Sequence, residues 1–421
     1  MRRLPHSWSR VATAVAAAAL VVGVAAASTA AKTTGASHRA AAKTTTITLA
    51  HWSSSPVELK GVRATIAAFE KRNPSIKVNE INLDPYPEGM LARFAARKPP
   101  DIFYVDSNVF PDWVSQGVLE PISDDMAKAH MSTKPFYPRL LSAFTYKGKL
   151  YGLPKDWSPL AMEVDTKALA AANVTTVPKT WAGLTAAAKK LKAAGQPPVC
   201  LGIDLARILA FMYQNGGGFL NATKTKAIVN SSKNLTAVST YINWIQSGLA
   251  RTPQQIGAGW CGEALGKEKA SIIFEGNWVT SYMNDTFPNV QWKTYPMVGA
   301  KQGNKFRGNL GFTASYSIAK DSKHKAEAFK MLQFLESPVG QKIWIGNVGY
   351  LPSRSDVKPP AGRAVFTAEA PYTHPWQFAP GFSKVYDTAN NELQAAFEGK
   401  ETADVALRNI QNAATAALKG Q

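Results

Sequence analysis

The chain has 421 residues, 45% of them hydrophobic, with 11 Trp and a formal net charge of +19. That length exceeds the roughly 250 to 300 residues at which one core stops growing, so two lobes are expected. The basic balance permits attraction to a polyanion, but the lysines are scattered and form no cluster interleaved with aromatics, which argues against nucleic acid as a partner.

At the N terminus Arg2, Arg3 and Arg10 precede an uncharged stretch from Val11 to Ala27. Small residues follow as Ser28-Thr29-Ala30, and the pattern reads as an export signal over residues 1–30. An uncleaved anchor is the alternative, but an Ala-rich stretch is weakly apolar beside the roughly 20 residues of a spanning helix. Residues 31–43, rich in Ala, Thr and Lys, read as a flexible tether. No cysteine closes the signal, so an exported protein without a lipid-anchor cysteine is expected, extracellular or associated with the cell surface.

The folded part begins near Thr44. "TTTITLAHW" reads as a strand, and "PVELKGVRATIAAFEKRNP" places Leu59, Val62, Ile66 and Phe69 at helical spacing before Asn73-Pro74. "SIKVNEINL" and "PDIFYVDS" follow as strands on either side of the helix "PEGMLARFAARK". The order βαβαβ implies a parallel sheet whose ligands bind beyond the carboxyl ends of its strands. "YKGKLYGLPKDWSPLAMEVDTKAL" reads as a hairpin-like pair of strands around a Pro-containing turn, and a crossing into a second lobe. After "SIIFEGNWV", the strands "VQWKTYPM" and "GFTASYSIAK" suggest a return.

Cys200 and Cys261 are the two cysteines, and in an exported chain an even count makes a disulfide reasonable, with two buried thiols as the alternative. No Cys/His cluster has zinc spacing, and neither metal nor cofactor is expected. Gly257 to Gly262 fits G-x-G-x-x-G by letter, but it follows no buried strand and carries Trp260 and Cys261 where a phosphate must approach.

In order along the chain, "FEKRNPSIKV", "PPDIFYVDSNVFPDWVSQGVLEPI", "GKLYGLPKDWSPLAMEVDTKAL", "VPKTWAGL", "ASIIFEGNWV", "KAEAFKMLQFLESPVGQKIW" and "GYLPSRSDV" resemble the bacterial extracellular solute-binding proteins of family 1, the maltose-binding-protein-like components of sugar ABC importers. The resemblance covers nearly all of the chain after the tether. It implies an α/β, two-lobed periplasmic-binding-protein-like fold of type II, each lobe a mostly parallel sheet flanked by helices. Residues 44–156 with 302–350 would form the N-terminal lobe, and 157–301 with 351–421 the C-terminal lobe. It further implies a monomer that closes by a hinge around a carbohydrate and presents it to the membrane permease subunits of an ABC importer.

A sugar ring offers a C–H face and a hydroxyl edge, so its site needs flat aromatics and planar polar groups. Trp52, Trp157 and Trp278 each sit beside polar residues: Ser53 and Ser54, Lys155 and Asp156, and Asn277. The resemblance carries a binding role onto Asp106, Ser107, Lys155, Asp156, Trp157, Gly276, Asn277 and Trp278. Gly308, Asn309 and Tyr350 match regions that line such clefts. Gly276 is expected to let backbone approach the ligand, and Glu275 is either a ligand contact or a carboxylate that shapes the turn. Trp113 and Trp244 lie on helical patterns and are expected in the core.

An enzyme is the competing class. Asp106, Asp156, Glu163 and Glu275 could include a glycosidase pair, whereas no G-x-S-x-G elbow occurs. A binding protein for a non-sugar polar solute is a further alternative.

Overall fold

A computed structural model describes residues 44–53, 55–376 and 378–420. The expected signal (1–30), the tether (31–43) and Ser54 lie outside the described residues. Among the described residues, no helix is long and apolar enough to cross a membrane.

The first half follows its hydrophobic periods. Strand β1 (Thr45–His51) leads to helix α1 (Pro56–Arg72), which starts where the Ser55 side chain accepts the Glu58 amide and ends at Asn73. Its apolar stripe buries Val62, Ile66 and Phe69. Strand β2 (Ile76–Asn82), helix α2 (Tyr86–Ala95) and strand β3 (Ile102–Asp106) complete the βαβαβ unit. Both β2 and β3 pair with β1 in parallel, as crossover connections through a helix require.

The chain then departs from the expected hairpin. Only Thr145–Tyr146 and Lys149–Leu150 form a tight pair; from Gly152 to Asp165 a single buried 14-residue strand, β4, runs straight through both prolines. Pro154 is tolerated because the pairing is irregular there. Against strand β6 (Asn309–Ile318) the register places Ala314 opposite Asp156 but Ser315 opposite Pro154, so Lys155 is the extra residue of a bulge. A proline has no N–H to give the ladder, and a bulge is one place where none is needed.

Between β4 and β6 lie helix α3 (Leu205–Gln214), strand β5 (Ile272–Gly276) and helix α4 (Trp278–Thr286); after β6 come helices α5 (Lys325–Leu335) and α6 (Pro338–Val348). The main sheet runs β2-β1-β3-β6-β4-β5 and continues into the short strands Val199–Cys200 and Ala250–Arg251.

Two large apolar cores form around this sheet. One gathers Ile47, Phe69, Phe103, Trp113 and Trp344; the other gathers Trp181, Phe211, Trp244, Phe274 and Phe382. Strand β4 gives Leu153 to the first and Leu160, Met162 and Val164 to the second, while β6 gives Tyr316 and Ile318 to the first and Leu310 to the second. Both strands therefore pass from one core to the other. Their middle residues are left to line whatever opens between the cores.

One core group is out of keeping with its surroundings. Glu163 on β4 is fully buried; Oε2 accepts the Glu275 amide at 3.1 Å while Oε1 has no partner, and burial, with the nearby Glu275 charge, raises its carboxyl well above the ordinary range. A carboxyl raised on folding contributes stability at low pH that is lost as the pH rises through its folded value. Glu163→Gln keeps an acceptor for the Glu275 amide and removes the titration. Its Tm is expected to match wild type near about pH 4 and to exceed it increasingly toward about pH 8, read by calorimetric scans across that range.

Candidate binding cleft

A cleft of about 430 Å³ opens where β4 and β6 pass between the cores. Period-2 alternation turns Asp156 and Ser158 of β4 into it, and the bulge turns Lys155 the same way. From β6 come Phe312, Thr313 and Ala314; from the ends of β1 and β3 come Trp52 and Asp106.

The floor is an ion pair. Lys155 is 2% exposed, its Nζ donates to Asp156 Oδ2 at 2.6 Å, and it lies 4.5 Å from the ring centre of Trp344 and 4.7 Å from that of Tyr104. Trp344 Nε1 donates to the same carboxylate oxygen at 2.8 Å. A desolvated ammonium needs this combination of counter-charge and π-faces. Beside it the Tyr350 ring lies 5.7 Å from Lys155 Nζ, and Trp52 stands edge-on to Tyr86 and Tyr104 at 5.0 and 4.9 Å.

The opposite wall is carried by the end of β5. Glu275 does not line the cleft. Its Oε2 accepts from Arg207 Nη2 at 2.6 Å and from Trp278 Nε1 at 3.1 Å, so it fixes the two side chains that do. Arg207 also pairs with Asp204 at 3.4 Å and lies over the Trp278 and Phe312 rings. The indole of Trp278 folds back over Gly276, where a Cβ would overlap the ring. The glycine thus makes room for the tryptophan, not for the ligand. Asn277 is fully buried; its amide donates to Ser158 Oγ at 2.7 Å and its Nδ2 to the Trp157 carbonyl at 3.2 Å, leaving Oδ1 without a partner. Arg207 Nε is likewise unpartnered.

Of the residues singled out in sequence, Trp52, Asp106, Lys155, Asp156, Asn277, Trp278 and Tyr350 line the cleft. Ser107 is buried, with its amide on the Thr313 carbonyl. The Ser53 hydroxyl lies 3.5 Å from His51 Nδ1, outside the lining. Trp157 is not in a loop but in β4, on the face opposite Asp156, where it meets Tyr137 and a separate cavity of about 490 Å³. Gly308 packs on Tyr213 and Gln214. Asn309 is fully buried and stitches β6 to β4, accepting the Leu160 amide at 3.1 Å and donating to the Leu160 carbonyl at 2.7 Å.

Sequence reasoning did not single out Arg207, Trp260, Tyr282 or Phe312, all of which line the cleft. Tyr282 sits four residues after Trp278 on α4, so helical spacing could have found it. Trp260 was set aside with the glycine motif. A Cβ at Gly262 would overlap its ring, which gives that glycine a reason unconnected with phosphate.

The Asp106 carboxyl is pushed up to about 6, chiefly by burial, against the lowering effect of the Asn108 amide at 3.1 Å and of Lys155. A ligand hydroxyl donating to Asp106 binds its ionised form. Affinity is therefore expected to fall as the pH drops through about 6, and Asp106→Asn to flatten that profile, measured by titration at a series of pH values.

Among the described residues, no group of His, Cys, Asp and Glu could hold a metal ion. A profile of the family described as bacterial extracellular solute-binding protein matches residues 53–342. A protein of Brucella abortus (strain 2308) is 26% identical over 367 residues, covering 84% of this chain and 88% of its own. The ABC substrate-binding protein of Listeria monocytogenes in complex with cycloalternan superposes with a TM-score of 0.82 at 23% identity, over 90% of this chain and 100% of that one. The GacH receptor of Streptomyces glaucescens, studied with acarbose, gives 0.78 at 20% identity, over 90% and 99%.

Proposed function

This chain belongs to the bacterial extracellular solute-binding protein family, and we propose that it captures a carbohydrate in the cleft between its two cores and delivers it, unchanged, to the permease subunits of an ABC importer. The observation that carries the reading is the kind of chemistry left open in the cleft. Trp52, Trp260, Trp278, Tyr282 and Phe312 offer flat apolar faces, while Lys155 is already paired with Asp156, and Arg207 with Glu275 and Asp204. The cations are neutralised from within. A neutral ligand with apolar faces and hydroxyl edges fits this better than an anion, and Asp106, Asn277 and Arg207 in the lining supply polar groups for such hydroxyls. The sugars named with the Listeria and Streptomyces proteins support the same ligand class.

A binding role also agrees better than a glycosidase with the state of the carboxylates. Asp156 is engaged by Lys155 and Trp344, Glu275 by Arg207 and Trp278, and Glu163 is enclosed in the sheet. Of the four acids singled out in sequence as a glycosidase pair, that leaves only Asp106 open to a ligand, where glycoside cleavage needs two. The two lobes follow the two cores, with crossings near residues 154–159 and 311–315, and closure about these strands would bring Trp52 and Trp278 onto one ligand.

Intrinsic tryptophan fluorescence titrated with mono- and oligosaccharides tests the reading. A saturable change with one of them is the expected result, and a flat response to all would overturn it.

A further inference from the structure

The aromatic wall that holds Trp278 also contains Trp260 and Tyr282, whose rings lie 4.9 Å apart. All three pack on a small apolar cluster, distinct from the two large cores, that includes Cys200, Cys261, Leu265, Ile273, Val279 and Met283. Inside it Cys200 and Cys261 are joined by a disulfide with Cα atoms 5.6 Å apart. Trp260 is thus the residue next to one half of a buried crosslink.

Among the described residues no hydrogen bond joins the loop that presents Trp260 to the sheet; besides the crosslink it is held by apolar packing, with Ala264 and Leu265 of the following helix meeting Ile273 of β5. Gly257 is left-handed at φ 66°, and Gln254, Gln255, Gly257 and Gly259 are exposed. The hydrogen bonds of this loop run to its own neighbours: Gly259 N donates to Glu263 Oε2 at 2.5 Å, Ala264 N to the Trp260 carbonyl at 3.1 Å, and Lys269 Nζ to the Gly257 carbonyl at 3.3 Å. The helix that follows, Cys261–Gly266, has only six residues. Cys200, by contrast, lies in a strand of the main sheet, paired with Arg251 and followed by Leu201, whose amide donates to the Arg251 carbonyl at 3.0 Å. Four residues beyond Cys200, Asp204 caps α3 and bonds Arg207.

We infer that the Cys200–Cys261 disulfide is a positioning element for the ligand site, holding Trp260 against the cleft by fastening its loop to the sheet, so that affinity depends on the crosslink while the two main cores do not. The inference rests on the reading of the cleft as a sugar site. A surface loop whose bonds are all local opens at low free energy, and a covalent tie to a core strand removes that freedom.

The test compares wild type, Cys200→Ala/Cys261→Ala, Trp260→Ala and the triple variant in two measurements. In calorimetric titration with the best sugar of an oligosaccharide panel, the double cysteine variant should bind about 3- to 10-fold more weakly, the scale of losing one aromatic contact. The triple variant should then bind within about twofold of Trp260→Ala, because both changes remove the same contact. In hydrogen exchange without ligand, amides of residues 257–266 should exchange at least about tenfold faster in the double cysteine variant, with β1 and β4 unchanged. Affinity losses that multiply, or exchange at 257–266 that does not change, would overturn the inference. If no sugar binds wild type, the proposed function fails while the exchange result still decides the positioning role. Should the alanine pair not fold, Cys200→Val/Cys261→Ala refills the apolar cluster and is read in the same way.

Discussion

Asp156→Ala is expected to destabilise the protein by about 3–5 kcal/mol, the loss associated with breaking a buried ion pair by removing one partner. The side chains of Lys155 and Asp156 are 3% and 10% exposed, and once the carboxylate is gone the ammonium keeps the ring faces of Trp344, Tyr104 and Tyr350 and the more distant Asp106 charge, none of them a direct ion-pair partner. The same substitution strands Trp344 Nε1, which donates to Asp156. Lys155→Met should cost less, because Asp156 then keeps the Trp344 donor. The double change Lys155→Met/Asp156→Leu should recover most of the loss, since two apolar groups of similar volume often replace such a pair with little penalty. Chemical denaturation of the three variants checks this. A loss for Asp156→Ala below about 1 kcal/mol, the scale of an exposed pair, would mean that water reaches the floor of the cleft.

The second large effect is on binding. Trp278→Ala is expected to weaken sugar affinity by about 2 kcal/mol, or roughly 30-fold, as removal of a central aromatic anchor does. Trp278 is half-buried, fixed by Glu275 through its indole N–H and set edge-on to Phe312 at 5.2 Å. Its orientation is therefore built before a ligand arrives, which limits the entropy lost on binding. Gly276→Ala should reproduce much of the loss while keeping the indole, because the added methyl overlaps the ring and displaces it. Isothermal titration of both variants decides. Affinities within about twofold of wild type would remove Trp278 from the ligand contacts.

Which parts of this could be read from sequence has a physical pattern. The βαβαβ unit was legible because α1 keeps its helical period up to Asn73-Pro74 and the strands on either side are short apolar runs. Strand β4 was not, because Pro154 and Pro159 read as turn residues, and only the register against β6 reveals the bulge at Lys155 that absorbs the first of them. That one misreading has a direct consequence for the site. In a hairpin turn Lys155, Asp156 and Trp157 share a loop and point alike, whereas in a bulged strand the first two face the cleft and Trp157 faces away. Trp278 was legible as a cleft residue because an indole beside a carboxamide at a strand end is conspicuous in sequence. Arg207 was missed because its role depends on Glu275, 68 residues later in the chain. Long-range pairing of this kind leaves no local signal. Trp260 did leave one, in a glycine motif weighed only for phosphate.

The central claim is capture of an unaltered carbohydrate, and calorimetric titration of the protein against a panel of mono- and oligosaccharides, with the bound sugar recovered and checked by mass spectrometry, tests it most directly. The account predicts saturable binding near micromolar strength with the sugar intact. Cleavage of the recovered sugar, or silence across the panel, would contradict it.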